Sequence, residues 1–509
     1  MTTSNPANPA TPGGTGTPVP SYAPADPAPS PVDEGAVRRS LIGQALYDTF
    51  GQAGARVGAI WVLFVAFLGV AAPFLANSHP ILYRLKGGPL TSPMLVHLTP
   101  LDVVLVVLTV AALIVLARRP GAPLAVALIG WPVAVVAVVA GVVTLGPDLL
   151  TLSLWRPAAL AGELTVGGSL LWLAVVVVHL LVAAVLAGVV WQLAAASVRL
   201  TRSATAARRR GLLLVAAAAA AASVAAVYLV RPPERNVYEM YREAEARGQV
   251  DLVVRTIVPY SPNDRFFDRP DLVGVSEQTF RAPDRTHWLG TEKNKQDLLS
   301  RLIHGCRVAL SIGLIATGIS IVIGVAVGGL LGYFGGWLDL IGMRLIEILE
   351  AVPTLLVLLI ISVSFGRSLY LMMVAIGLLR WTSDARFIRG EFFKLRNQDF
   401  VQAAIAVGLT RTSVIFRHTL PNGVAPVFVS ASFGIAGAIL LESTLSFLGL
   451  GLTEDPSWGQ LLDQARQAAG FKWWIGVFPG LVIFLTVFSY ILIGEAMRDA
   501  LDPKLKKAH

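Results

Sequence analysis

Long apolar runs alternate with short polar segments along most of the chain. The runs lie at about 57–76, 101–117, 122–145, 169–196, 212–230, 305–331, 345–365, 369–390, 424–447 and 476–497. Each run approaches or exceeds the roughly 20 residues that an α-helix needs to cross the apolar part of a membrane. The pattern therefore predicts an all-α polytopic membrane protein with about ten transmembrane helices.

The remaining segments divide the chain further. Residues 1–35 are rich in Pro and Ala and cannot bury enough apolar surface to fold, so we expect a disordered cytoplasmic tail. Residues 231–300 mix charged, aromatic and Pro residues, which predicts a partly folded extracytoplasmic loop domain. The other regions are a first span at 36–76, four further spans within 77–230, a second group of spans at 301–503 and a basic tail at 504–509.

Arginine and lysine in the short loops predict which loops face the cytoplasm, because basic loops beside spans stay on that side. Arg38 and Arg39 precede the first span, Arg118 follows the second, and further arginines lie within 197–211. Lys504 belongs to the basic tail. We therefore expect a multi-pass protein of the bacterial cytoplasmic (inner) membrane with both termini in the cytoplasm.

The overall composition agrees with this class. The chain is 55% hydrophobic and 14% charged, whereas a soluble domain carries about 25% charged residues. The net charge of +9 resides mostly in the short loops, so it does not predict nucleic-acid binding. Cys306 is the single cysteine, which excludes a disulfide bond within the chain.

A cationic segment at 381–426 separates two of the apolar runs. Within it, the residues Phe400, Val401, Ala404, Val407 and Gly408 recur at helical spacing, which predicts a short helix with one apolar face. The glycine is expected to end that helix or to admit a close neighbour. The apolar face either packs on the membrane surface or the protein's own spans, or docks a soluble partner as a helix in a groove.

This segment resembles the EAA loop of the permease subunits of ATP-binding-cassette (ABC) importers. The residues that carry the resemblance are Ala403, Ala404, Gly408, Ile415, His418, Leu420 and Pro421, with Gln402 where the family has Glu. The resemblance implies a coupling loop at 391–423, whose helix at about 399–411 seats in a cleft of a separate ATPase subunit. These eight residues are the candidate ATPase-coupling residues, and docking is then the favoured interpretation.

Further motifs are similar to the C-type permeases of dipeptide and oligopeptide importers (DppC/OppC-like). They are His287–Thr291, Glu442–Gly451, Pro456–Gly459 and Arg498–Pro503. The resemblance implies six core spans, so that the spans within 77–230 are an insertion. It also implies a homologous B-type permease, two ABC ATPases and an extracytoplasmic substrate-binding protein as partners, besides membrane lipid. ATP and Mg²⁺ would bind in the ATPases, and no cofactor is expected on this chain.

The sequence departs from the family pattern before the second core span. The family has Gly and Arg where this chain has Lys295 and Gln296, which puts any family role of that turn in doubt. Glu442 is a candidate for the translocation path or a gate, because a carboxylate in a span is costly. Pairing with a partner-subunit group, or a place near the outer membrane surface, is the interpretation that we prefer. Pro353 is expected to kink its span and could act in gating or in packing.

Three other patterns have plain structural interpretations. Arg344 and Glu347 are spaced for an intrahelical ion pair. Small residues at Gly324, Gly328, Gly329 and Gly332 would let two helices approach closely. The histidines are scattered, without a His/Cys cluster, so His418 is not expected to bind a metal.

The chain has no G-x-x-x-x-G-K-[ST] phosphate-binding loop. We therefore expect no catalytic residues and no ATP hydrolysis by this chain itself. One alternative function is a self-sufficient channel or secondary transporter, which favours charges deep in several spans and internal repeats. Another is a receptor or scaffold. Within the importer class, dipeptides, oligopeptides, glutathione-like compounds and nickel complexes all remain open as substrates.

Overall fold

The computed structural model describes residues 47–117, 238–264, 280–423, 425–451, 456–468, 470 and 472–501. The predicted tails at 1–35 and 504–509 and the predicted spans at 122–145, 169–196 and 212–230 lie outside the described residues.

The described part is mostly helical. Its first half contains α1 (Ala53–Leu75), β1 (Leu82–Leu85), α2 (Pro93–Val96), α3 (Pro100–Ala117), α4 (Tyr238–Ala246) and β2 (Val250–Val254). Its second half contains α5 (Leu298–Phe334), α6 (Gly336–Glu350), α7 (Thr354–Phe365), α8 (Leu369–Leu395), α9 (Asp399–Ala406), α10 (Arg411–Ser413), α11 (Leu420–Gly423), α12 (Ala425–Leu445), α13 (Trp458–Gln467) and α14 (Trp473–Leu501). Two π-helical turns lie at Val414–Thr419 and Ser446–Leu450.

Four helices of the described residues are long and apolar enough to cross a membrane: α1, α5, α12 with its π-turn, and α14. Helices α6 and α7 pass the same test together, as a pair bent by 66°. The predicted all-α membrane class is therefore confirmed. The predicted number of ten spans stays a prediction, because three of them lie outside the described residues.

The break between α6 and α7 occurs where the sequence predicts a kink. Pro353 stands just before α7, at φ −61° and ψ 112°, outside the helical region. Because proline cannot donate a backbone hydrogen bond, the helix stops there. The predicted kink at Pro353 is confirmed, and the break divides the span into Gly336–Glu350 and Thr354–Phe365, so the helical segment begins earlier than the predicted 345.

The glycine-rich stripe of α5 permits a close crossing with α8. A Cβ atom on Gly328 would come within 3.0 Å of the carbonyl oxygen of Ala385, and one on Gly332 would meet the carbonyl oxygen of Arg389. Only a residue without a side chain fits such contacts between backbones. The predicted close approach is confirmed, and it fixes α8 against α5 over much of its length.

The main core joins five helices at one end of the bundle. Trp458 and Leu461 of α13 pack with Ile439 of α12, Leu302 of α5 and Ile475 of α14. Val65 of α1 belongs to the same cluster. Helix α13 thus covers this end of the bundle.

A small cap lies at the same end of α5, built from residues 77–99 and 238–264. Strand β1 pairs antiparallel with β2, and Ala76 forms a parallel bridge with Val258. The ring of His79 stacks on that of His97 with centroids 3.7 Å apart. Burial, together with the neighbouring His97, lowers the pKa of His79 to about 3, so the ring stays neutral. The described residues at the start of the predicted region 77–230 therefore pair with residues of the predicted region 231–300.

Candidate functional site: the coupling segment and buried polar groups

Helix α9 lies at the end of the bundle opposite the cap. Asp399 occupies its first turn, where a carboxylate interacts favourably with the helix dipole. Gly408 has φ +82°, and its backbone N–H donates to the carbonyl of Ile405 at 2.9 Å. A glycine in this left-handed conformation ends helices without strain. The expectation that this glycine ends the helix is confirmed, and a Cβ atom there would meet nothing within 4 Å.

The inner side of α9 is anchored to the long helix α5. Val401 is 0% exposed and Ala404 is 7% exposed, and both pack with the buried Val414 of the following π-turn. Tyr333, in the last turn of α5, packs against the same three residues. A displacement of α9 would therefore press directly on the end of α5.

The outer side of α9 and of the π-turn is apolar and uncovered. Val407 is 81% exposed and Phe416 is 68% exposed. Three further apolar side chains are also exposed: Phe400, Ile405 and Leu409. Such a cluster on an otherwise polar segment is a candidate interaction surface. We call these five residues the coupling surface.

The structure corrects the predicted single apolar face of α9. Val401 and Ala404 face inward, whereas Phe400 and Val407 belong to the exposed coupling surface. Spacing alone does not distinguish a buried from an exposed apolar side, because apolar residues lie on both sides of this short helix.

A second set of contacts ties the segment to α8 and α6. Ile415 and Leu420 pack half-buried against a cluster that includes Phe392 of α8. Arg389 of α8 forms a two-pronged ion pair with Asp339 of α6, with Nη2–Oδ2 at 2.5 Å. A planar guanidinium held at two points fixes orientation as well as distance. The segment thus contacts α5 and α8 directly and reaches α6 through α8.

The eight predicted coupling residues separate into two groups. Gln402, Ala403, Gly408 and Pro421 are exposed, whereas Ala404, Ile415, His418 and Leu420 are buried or half-buried. The amide of Gln402 donates to the carbonyl of Arg396 at 2.8 Å. The exposed group can contact another protein, and the buried group holds the segment in place. Within the described residues, no group of three or more His, Cys, Asp or Glu side chains could hold a metal ion.

Glu442 is buried in the half of the bundle that lies away from α9. It is 1% exposed, and its carboxylate accepts hydrogen bonds from Ser446 at 2.7 Å and from Ser457 at 2.5 Å. Ser457 also caps α13 by accepting from the backbone of Gln460. Glu442 therefore fastens α13 to α12, with serine partners inside the chain. Its role in the path or a gate stays a prediction.

Sequence reasoning missed a second buried carboxylate. Asp384 of α8 accepts hydrogen bonds from Ser320 of α5 and Ser430 of α12, and it is 6% exposed. Arg380, one turn earlier, has a buried Nε without a partner among the described residues. The sequence feature that could have indicated this site is a carboxylate within the predicted span 369–390. Asp384 joins three helices at one point.

The predicted ion pair between Arg344 and Glu347 is confirmed, with Nη1–Oε2 at 2.6 Å. Glu350, on the same helix, pairs instead with Arg386 of α8. Both pairs are partly exposed to solvent or lipid. Each therefore contributes little to stability by itself.

The chain is similar to known membrane transport proteins. Residues 320–507 match the family described as binding-protein-dependent transport system inner membrane component. The chain is 40% identical over 220 residues to the oligopeptide transport system permease protein OppC of Haemophilus influenzae, covering 43% of this chain and 70% of the relative. It is 36% identical over 227 residues to the dipeptide permease DppC of Alkalihalophilus pseudofirmus, covering 44% and 75%. The chain belongs to this permease family.

A further relative is the glutathione transport system permease protein GsiD of Pectobacterium atrosepticum. It is 34% identical over 252 residues, which cover 49% of this chain and 81% of the relative. The predicted resemblance to DppC and OppC is thus confirmed. The protein is an ABC-importer permease of the inner membrane, and it is a transport component rather than a catalytic one. A self-sufficient channel or secondary transporter is not favoured.

The turn before α5 departs from the family pattern and also has an unusual backbone. Lys295 has φ +65°, in the left-handed region. Gln296 accepts a hydrogen bond from the guanidinium of Arg301. Asp297 caps α5 through the backbone N–H of Ser300 at 2.8 Å and contacts His287 Nδ1 at 2.9 Å. The permease thus keeps the helix cap while carrying a lysine where glycine is more favourable.

Proposed function

We propose that this permease imports peptides or small peptide-like compounds, driven by separate ATPase subunits that dock on its coupling surface. The relatives named above are an oligopeptide, a dipeptide and a glutathione permease, and all three names refer to compounds with amide-linked amino acids. The observation that carries the docking part is Val407, which is 81% exposed and directly follows α9, a helix whose other side is buried. An exposed apolar side chain on a fixed helix suits the groove of a partner.

The contacts of α9 suggest how force reaches the spans. Its buried side presses on Tyr333 of α5, and Arg389 links α8 to Asp339 of α6. Gly335 lies between α5 and α6, and Gly336 begins α6; both have positive φ, which gives a joint of two adaptable residues. ATP binding would shift the equilibrium only if the ATPases bind one arrangement of these helices more tightly than the other.

The remaining partners follow from the same proposal. A homologous B-type permease completes the path, and an extracytoplasmic substrate-binding protein delivers cargo to the face opposite α9. Two ATPase subunits hold ATP and Mg²⁺, and this chain binds no cofactor of its own. Both termini lie in the cytoplasm. Lipid surrounds the spans, and nucleic acid has no part.

The docking part is tested by replacing Val407 with aspartate in the tagged full-length protein. Because this side chain contacts so little of its own chain, Val407→Asp should leave folding intact. We expect wild type to copurify in mild detergent with an ATPase and a second permease. The variant should lose ATPase recovery by about tenfold or more, as when a central interface residue is removed, while keeping the second permease.

Leu90→Asp is the matched control. Leu90 is 53% exposed and lies in the cap, so the same charge is placed on an exposed apolar residue at the other end of the bundle. It should recover the ATPase like wild type. If wild type came out alone and moved peptides in liposomes without ATP, the importer proposal would be wrong. If Val407→Asp kept the ATPase, docking on the coupling surface would be wrong.

The cargo part is tested separately in cells that lack other peptide uptake. Accumulation of a labelled dipeptide, a labelled oligopeptide or labelled glutathione through the wild-type system, lost on deletion of this chain, is the expected result. Uptake of a nickel chelate without any of the three would contradict the peptide proposal.

A further inference from the structure

Arg380 is a cation near the middle of α8, within the predicted span 369–390. Its guanidinium carries a permanent charge, because arginine does not lose its proton in proteins. A charged side chain at such a depth is costly and is therefore a functional candidate. Neither the coupling contacts nor the helix crossings described above use this side chain.

Arg380 has no direct hydrogen-bond or ion-pair partner in the part of the chain that the structure describes. Its Nε is buried and makes no hydrogen bond there. The carboxylate of Asp384, one turn further along α8, interacts with the guanidinium only at a distance. Asp384 is occupied instead by the hydroxyls of Ser320 and Ser430. A partly enclosed guanidinium without a partner is suited to bind a carboxylate from outside the chain.

Helix α12 leaves room for this side chain at two glycines. A Cβ atom on Gly437 would collide with Nη1 of Arg380. One turn earlier, a Cβ atom on Gly434 would come within 3.0 Å of the side chain of Thr317. The Thr317 hydroxyl is also buried without a hydrogen-bond partner among the described residues. Two polar groups with unused hydrogen-bonding capacity therefore lie against one stretch of α12 that has no side chains of its own.

This stretch belongs to a face of α12 that the described chain does not cover. Phe433 is 37% exposed and Leu440 is 46% exposed, and Gly437 lies between them at helical spacing. Arg380 is half-buried, so part of its side chain is accessible beside these residues. Acyl chains are unfavourable neighbours for a guanidinium at this depth. We therefore expect this face to border a polar path or another subunit.

We propose that Arg380 binds the C-terminal carboxylate of the peptide cargo as it passes along this face of α12. The proposal rests on the proposed function, because it takes peptides as the cargo. Unmodified peptides and glutathione carry a terminal carboxylate, and a guanidinium can hold such a group at two points. The nearby charge of Asp384 weakens the attraction, which suits a transport site that must release its cargo as well as bind it.

The test measures peptide binding to the assembled transporter in phosphatidylcholine nanodiscs, without a substrate-binding protein. Trialanine and trialanine amide are titrated separately, and saturation-transfer NMR gives the two dissociation constants. Wild type should bind trialanine about tenfold more tightly than the amide, as expected for one charge-assisted contact. Arg380→Gln should bind both peptides as weakly as wild type binds the amide. Arg380→Lys should retain part of the difference, because it keeps the charge but not the two-point geometry.

Arg386→Gln is the matched control, because it removes the same charge from α8 at a residue that is already paired with Glu350. It should keep the wild-type difference between the two peptides. The proposal is overturned if wild type binds both peptides equally, if Arg380→Gln keeps the preference, or if that variant weakens both peptides to the same degree.

Two further results would also overturn it. Loss of the second permease from the pull-down of Arg380→Gln would mean that the guanidinium holds a carboxylate of the partner subunit. Binding of neither peptide by wild type, together with normal peptide uptake by cells, would place cargo recognition elsewhere. If wild-type cells accumulate none of the labelled peptides or glutathione, the proposed function itself fails, which is a distinct result.

Discussion

At the scale of single residues, Lys295 is the clearest point of backbone strain in the described chain. Its φ of +65° is the only positive value among the described non-glycine residues. Because a Cβ atom disfavours this conformation by about 1–2 kcal/mol, Lys295→Gly should stabilise the folded protein. The greater freedom of glycine in the unfolded chain offsets part of this, so we expect a gain of about 1 kcal/mol. Thermal unfolding in detergent, followed by tryptophan fluorescence, measures it.

Lys293→Gly provides the comparison for that measurement. Lys293 lies on the same turn and carries the same charge, but its φ is not positive. It should gain nothing, and it should lose the hydrogen bond from Lys293 Nζ to Gln467 while keeping the backbone bond to Gln464. Equal stabilisation by both glycines would mean that loss of charge, and not relief of strain, was responsible.

Residue types could be predicted better than residue partners. Gly408 was assigned correctly as a helix end, because only its own backbone matters. Glu442 was recognised as an unusual carboxylate, but its partner Ser457 lies 15 positions away across a π-turn. Asp384 accepts hydrogen bonds from Ser320, which is 64 positions away in the sequence, and from Ser430, which is 46 positions away. Such pairings depend on helix crossings, which a periodic pattern does not encode.

At the scale of elements, the crossing of α5 and α8 should be sensitive to a single methyl group. Gly328→Ala would place a Cβ atom within 3.0 Å of the Ala385 carbonyl, which is backbone and cannot rotate away. We expect a loss of about 1–3 kcal/mol, as for other overpacked sites. The melting temperature and the yield of monodisperse protein in detergent measure the effect.

Gly318→Ala makes the same substitution in the same helix where the structure leaves room. A Cβ atom at Gly318 would meet nothing within 4 Å. Since alanine favours helices over glycine by about 1 kcal/mol, this variant should be neutral or stabilised. A loss at Gly318 equal to that at Gly328 would show that helix flexibility, rather than close packing, explains the glycine stripe.

The existence of the long elements followed from hydrophobic runs, but several bounds did not. Helix α5 begins at Leu298, before the apolar run, because Asp297 supplies its cap. Helix α8 continues to Leu395, well beyond the predicted end of the span at 390. Its charged last turns remain helical because Phe392 is buried against neighbouring elements. Tertiary contacts thus extend helices beyond the bounds that the apolar runs predict.

At the scale of the whole molecule, the cap joins segments that are remote in the sequence. Asn77 and Thr256, which share hydrogen bonds, lie 179 positions apart. Local patterns predicted neither β1 nor β2, since strands this short gain their stability from pairing. The pairing brings the chain just after α1 next to the chain just before α5, an arrangement that the predicted even number of inserted spans would allow.

Helix α3, at the position of the first predicted span of the insertion, contacts α5 through a buried ion pair. Arg307 of α5 bonds the carboxylate of Asp102 in α3 and also the carbonyls of Gly69 and Val70 in α1. The Asp102 side chain is 5% exposed and that of Arg307 is 16% exposed. A charge left alone at such a site is costly, so either partner depends on the other.

This dependence makes α3 part of the core, and a double-mutant cycle tests it. Asp102→Leu and Arg307→Met should each destabilise the protein by about 3–5 kcal/mol, because each leaves a buried charge unpaired. The double variant should be less destabilised than the sum, since it removes both charges. Thermal unfolding of all four proteins in one detergent gives the coupling. Additive effects would mean that Arg307 is satisfied by the α1 carbonyls alone and that α3 is merely adjacent.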